Sequence, residues 1–177
     1  MLHGTHLLQY VRFPTPEVLG PGASDAEIKQ LIDRHGEVFI KPVFRGGIGK
    51  KGKAGLLGRA KDLKTALAEK ERLYFAEHRV GNIAAKANGV TFEAGVPAAH
   101  EVYFSITDST HFRAPTVTLT HRGGVDIEEI DKRHIAQVPF DPLTGLKAFV
   151  IAHALTEIDA PQEIISPLMA IASAAQM

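Results

Sequence analysis

Residues 44–55 read FRGGIGKKGKAG, with five glycines and three lysines between two strand-like runs. The flanks of this segment constrain the fold more than any other feature, because they decide what kind of phosphate loop it can be. Gly47, Gly49 and Gly52 match the G-x-G-x-x-G of dinucleotide sites, and Gly47 to Lys53 nearly completes a Walker A loop. A dinucleotide loop, however, needs its third glycine to open a helix whose N-terminus meets the pyrophosphate. Here Gly52 leads into KAGLLGRA, a short stretch with two further glycines that reads as a strand. A Walker A loop needs Ser or Thr after its lysine to hold magnesium, and position 54 is alanine. Both parallel-sheet readings fail. What remains is a glycine hairpin between antiparallel strands. It is either a lid whose amides and lysines close over phosphates, or an exposed basic hairpin without a ligand.

The strand before the loop, EVFIKP at 37–42, places Phe39 and Lys41 on one face and Val38 and Ile40 on the other. Lys41 at its end can reach phosphates beneath a lid, or snorkel at the surface. Upstream, LLQYVR at 7–12 predicts a short helix that stops before Pro14 and Pro16. Ser24 and Glu27 form a capping box for a helix through Ile28, Leu31 and Ile32 that ends near Gly36. Leu63, Ala66, Leu67, Lys70, Tyr74 and His78 are spaced for an amphipathic helix over 62–79. VTFEAGV, EVYFSITD and PTVTLTHR predict three strands in one antiparallel set. Two helices follow at about 145–157 and 161–175, with Pro167 kinking or restarting the second. This order predicts an α+β fold in two lobes.

At 177 residues the chain suits one domain and buries a real core. Lys+Arg and Asp+Glu balance at 20 each, so no global field attracts nucleic acid, and no apolar run is long enough to span a bilayer. The absence of cysteine excludes disulfides, thiolate metal sites and a thiol nucleophile. With no signal-peptide pattern at its N-terminus, the chain is expected to be cytoplasmic. His100, His111, His121 and His134 lack metal-ligand spacing, and Asp126, Glu128, Glu129 and Asp131 read as well as a solvated face as a cation site. No Ser/His/Asp constellation or other catalytic residue stands out, and no metal ligand is assigned within the chain.

The stretches VFIKP, KKGKAGLLG, FEAGVPAAHEVYFSITD and RGGVDIEEID, in that order over residues 38–131, resemble the ATP-grasp domain of the nucleoside-diphosphate-forming acyl-CoA synthetases. The relatives so indicated are the succinyl-CoA synthetase beta subunit and, more closely, the N-terminal part of ATP-citrate lyase. The resemblance implies an ATP-grasp nucleotide-binding domain over 1–177, with the lobe that bears the glycine lid at about 37–90. It implies that Lys41 contacts the α and β phosphates of ATP, and that Gly47, Gly49, Gly52 and Lys53 form the lid. Glu93 would begin the hinge between lobes, the backbone of Ala94, Gly95 and Val96 would read the adenine edge, and Glu101 would hold the ribose hydroxyls. On their own, without the family pattern, Glu93 and Glu101 read rather as ordinary solvated strand carboxylates.

The same resemblance implies ATP with Mg2+ as cofactors, the metal ligands being expected outside this chain. It implies a partner subunit or domain with CoA-ligase chemistry that carries a phosphorylated histidine, within a hetero- or homo-oligomer. The lid has two residues more than the succinyl-CoA synthetase pattern, which is the feature nearer to ATP-citrate lyase. The family's metal-ligand strands would follow the last helix, so the chain reads as an incomplete domain that binds adenine nucleotide without turnover. A succinyl-CoA synthetase beta-type fragment and a non-catalytic nucleotide-binding or assembly module are the alternatives. Gly123 to Asp131 receives no atom-level role.

Overall fold

Ser24 caps the first helix as its spacing predicts. In the computed structural model, which describes residues 14–44, 55–80, 83–124 and 129–174, its hydroxyl accepts from the Glu27 N–H while the Glu27 carboxylate reaches back to the Ser24 N–H at 2.8 Å. Helix α1 (Asp25–His35) then stops at Gly36, whose φ of 77° is left-handed and whose N–H closes on the Ile32 carbonyl. Ile28, Leu31 and Ile32 form its buried stripe.

The described residues fall into two compact units, one from Thr15 to Pro97 and one from Ala98 onward. In the first unit a four-stranded sheet runs β1 (Val18–Leu19), β6 (Val90–Ala94), β2 (Val38–Pro42), β3 (Gly58–Ala60), all neighbours antiparallel. One face of the sheet, with Val38, Ile40, Ala60, Phe92 and Ala94, packs on α1 and on α2 (Leu63–Tyr74), whose Ala66 and Leu73 are buried. The hairpin β4 (Glu77–Val80) and β5 (Ile83–Lys86) forms a separate two-stranded ladder. The second unit has a meander of β7 (Tyr103–Ser109), β8 (Ala114–Thr120) and β9 (Ala136–Pro139). Its core joins Val117 and Leu119 to Ile151, Leu155 and Leu168 of α3 (Ala148–Glu157) and α4 (Gln162–Ala174). Pro167 lies inside α4, which continues past it.

Three expectations change. The helix predicted to reach residue 79 ends at Tyr74, and His78 instead pairs with Ala85 across the β4–β5 hairpin. VTFEA does not join the two strand runs that follow it. It enters the first unit's sheet between β1 and β2, because its partners lie far upstream in sequence and only tertiary packing selects them. β9 forms where the sequence predicts no strand. The predicted helix at 7–12 lies outside the described residues.

Candidate functional site

Alternation along β2 buries Val38, Ile40 and Pro42 and leaves Phe39 and Lys41 partly exposed on the opposite face, as the sequence predicts. The register with β6 sets Phe39 across from Glu93 and Lys41 across from Thr91, so Lys41 and Glu93 are diagonal neighbours on that face. Their side chains form an ion pair. The Glu93 side chain is only 11 % exposed, and a carboxylate so withdrawn from water requires a hydrogen-bonded counter-charge. The Lys41 side chain is 42 % exposed. An ammonium carries three donors, and Glu93 accepts one. The same face carries Arg59, which lies over the Phe39 ring at 5.8 Å and is anchored to Glu37 at 2.6 Å.

Beyond Glu93 the chain continues through Ala94 and Gly95, both buried, and exposure begins at Val96, just before the first unit ends at Pro97. The N–H groups of Ala94 and Gly95 donate to the carbonyls of Glu17 and Glu37, both at 2.9 Å, and hold the segment to the sheet edge. Gly95 has no room for a side chain, because a Cβ there would lie 2.5 Å from Glu37 Cγ. Within the backbone expected to read the adenine edge, the N–H groups of Ala94 and Gly95 are therefore engaged by the protein. Val96, 60 % exposed, has an N–H that no other described group accepts.

Glu101 belongs to the second unit and is exposed, and its carbonyl accepts from the Gly123 N–H at 2.7 Å. Gly47, Gly49, Gly52 and Lys53 of the expected lid lie outside the described residues, as do Asp126 and Glu128. Among the described residues no three His, Asp or Glu groups converge as a metal site. Those residues alone do not supply the ligand set of a magnesium ion. No described helix is long and apolar enough to cross a membrane.

His121 and His134, distant in sequence, stack edge to face at 5.5 Å between ring centroids. Both Nδ1 atoms are buried without a hydrogen-bond partner among the described residues. Burial foremost, then the electrostatic influence of Arg122 and His134, pushes the His121 pKa below its ordinary 6.5, against a smaller opposing pull from Asp159. The folded protein thus binds this proton less readily than the unfolded chain, so the His121 contribution to stability is present above 6.5 and declines as pH falls below it. A proton NMR titration is expected to give a His121 midpoint below 6.5. A midpoint at or above that value contradicts the packing described.

Three elements of the site were not readable in the chain. The Lys41–Glu93 pair depends on a strand register, the engagement of Ala94 and Gly95 depends on non-local carbonyls, and the Gly123–Glu101 bond joins two loops. Only the face shared by Phe39 and Lys41 had a local signal, the period of two.

Comparison with known proteins identifies the family. A family model described as an ATP-grasp domain matches residues 11–175. The beta subunit of ADP-forming succinate–CoA ligase from Desulfatibacillum aliphaticivorans is 28% identical over 130 residues, which is 72% of this chain and 34% of that subunit. The chain thus spans about a third of the length of that curated relative. A dinucleotide-forming acetyl-coenzyme A synthetase 1 from Ca. Korarchaeum cryptofilum, solved with coenzyme A, acetyl-coenzyme A and a phosphorylated phosphohistidine segment, superposes with a TM-score of 0.55 at 16% identity, covering 86% of this chain and 62% of that one. ATP citrate lyase from Methanothrix soehngenii, solved with citrate and coenzyme A, gives 0.53 at 18% identity over 81% of this chain and 35% of its own. At these identities the two structures speak for the fold alone.

Proposed function

Because the chain belongs to the ATP-grasp family, with CoA ligases among its relatives, we propose that it is the adenine-nucleotide-binding part of an ATP-dependent carboxylate–CoA ligase. The observation that carries this reading is the Lys41–Glu93 ion pair, in which Glu93 is nearly buried while the Lys41 side chain is 42 % exposed. Lys41 binds the α and β phosphates, its remaining donors meeting their oxygens. Gly47, Gly49, Gly52 and Lys53 cover those phosphates as a lid. Glu93 keeps Lys41 in place and begins the hinge. Adenine lies against the backbone of Ala94 to Val96, where the Val96 N–H is the donor not already used by the fold. Glu101 accepts from the ribose hydroxyls, for which a carboxylate is a bidentate acceptor.

In the whole protein, ATP gives its γ-phosphoryl group to a histidine on another domain, releasing ADP. The phosphoryl group passes to a carboxylate such as citrate or succinate, and CoA sulfur displaces phosphate from the acyl phosphate to leave the thioester. Magnesium supplies charge neutralisation on the phosphates when bound. The length of the lid favours a protein of the ATP-citrate lyase type. The identity with succinate–CoA ligase beta subunits favours the second reading, a succinate-specific enzyme. Titration calorimetry with ATP, ADP and adenosine is expected to show binding of all three, strongest for the nucleotides with phosphates. Absence of heat with ATP and ADP contradicts the proposal and favours an assembly module.

A further inference from the structure

The Gly-Gly bend after β8 has a second role beyond reversing the chain. We propose that Gly123 is a positioning residue for Glu101, setting the height of that carboxylate for the nucleoside; the inference rests on the reading of Glu101 as the ribose acceptor. The segments that enter β7 and leave β8 meet at the same end of the ladder, where Tyr103 pairs with Thr120. One step further out, the Gly123 N–H donates to the Glu101 carbonyl at 2.7 Å. A Cβ on Gly123 would lie 2.6 Å from the Glu101 carbonyl carbon, 2.7 Å from the Val102 nitrogen and 2.8 Å from the Glu101 oxygen. All three are backbone atoms, which cannot turn aside as a long side chain would.

Two neighbours fix the bend. The Thr120 hydroxyl, fully buried, accepts from the Arg122 N–H at 3.1 Å. Gly124 has a φ of 126°, a conformation open to glycine, and a Cβ there would sit 3.5 Å from Glu101 Oε2. One oxygen of the carboxylate therefore lies beside Gly124. A methyl on Gly123 must lift the Glu101 backbone away, and binding groups tolerate displacement of only about 0.5 Å before their contacts are lost.

The test compares ATP with 2′,3′-dideoxy-ATP, which lacks the ribose hydroxyls, by calorimetry on the whole chain and on Gly123→Ala, Glu101→Ala and the double variant. The unaltered protein is expected to prefer ATP by about tenfold or more, as for hydrogen bonds to a charged group. Gly123→Ala is expected to bring that preference close to unity while its affinity for dideoxy-ATP stays within about twofold, and the double variant is expected to lose nothing more than Glu101→Ala alone. Unchanged dideoxy-ATP binding is the internal proof of folding. Equal weakening of both nucleotides makes Gly123 merely structural and overturns the inference. A preference retained in Gly123→Ala but lost in Glu101→Ala overturns it while leaving the role of Glu101 intact. A preference retained in Glu101→Ala, or no binding at all, removes the reading of Glu101 and the inference with it. If Gly123→Ala does not fold, Thr120→Val frees the Arg122 N–H without a clash, and a reduced preference supports the proposal where an unchanged one overturns it.

Discussion

Replacing Lys41 with alanine is expected to weaken ATP binding by about ten- to a hundredfold, the range for loss of charge-assisted hydrogen bonds to a phosphate. The same change is expected to leave adenosine affinity nearly unaltered, because adenosine has no phosphate for the ammonium to meet. The contrast matters, since Lys41 also neutralises Glu93, whose side chain is only 11 % exposed. Removing the lysine leaves that carboxylate without its partner and lowers stability in addition. A Glu93→Gln change in the Lys41→Ala background is expected to recover that part of the stability without restoring ATP affinity. Calorimetry with ATP and adenosine, beside thermal unfolding of each variant, separates the two effects. Equal ATP affinity in the protein with and without Lys41 would locate the phosphates elsewhere.

The largest effect on stability is expected from Phe92→Ala. Phe92 is fully buried in β6, opposite Ile40 on one side and Leu19 on the other, in the core that also holds Ile28, Leu31 and Leu73. Truncating a buried phenylalanine costs about 3–5 kcal/mol, a large part of the roughly 5–15 kcal/mol that holds a typical domain folded. Leu143→Ala is the matching control, since Leu143 is 94 % exposed and loses little on truncation. Urea unfolding is expected to show a lower midpoint for Phe92→Ala and none of that shift for Leu143→Ala. Because Phe92 lies between Thr91 and Glu93, failure of this core also removes the platform on which the Lys41–Glu93 pair is built.

What the chain reveals by itself follows the range of the physical signals. The capping box at Ser24 and Glu27, the stop at Gly36 and the period-two face of β2 all act within a few residues, and each is found where it was predicted. The ATP-grasp resemblance combined four such stretches in order, and the family match over 11–175 agrees with it. Strand partnership acts at long range. Nothing near VTFEA states that its neighbours are residues 18–19 and 38–42 rather than the strands that follow it. The helix over 62–79 was read too long because the apolar spacing continues through His78, while the backbone leaves helical geometry at Phe75 to begin a hairpin. The Gly-Gly bend at 123–124 reads as a simple turn until the backbone of Glu101 is seen pressed against it.

The most direct measurement of the central claim is photolabelling with 8-azido-ATP. Trypsin releases Ala87–Arg113 as one peptide, since no lysine or arginine lies between its ends, and that peptide carries Glu93, Ala94 to Val96 and Glu101. The account predicts that the label falls within this peptide, between Ala94 and Glu101, and disappears when excess ATP competes. Label confined to other peptides, or label within this one that ATP does not displace, would contradict it.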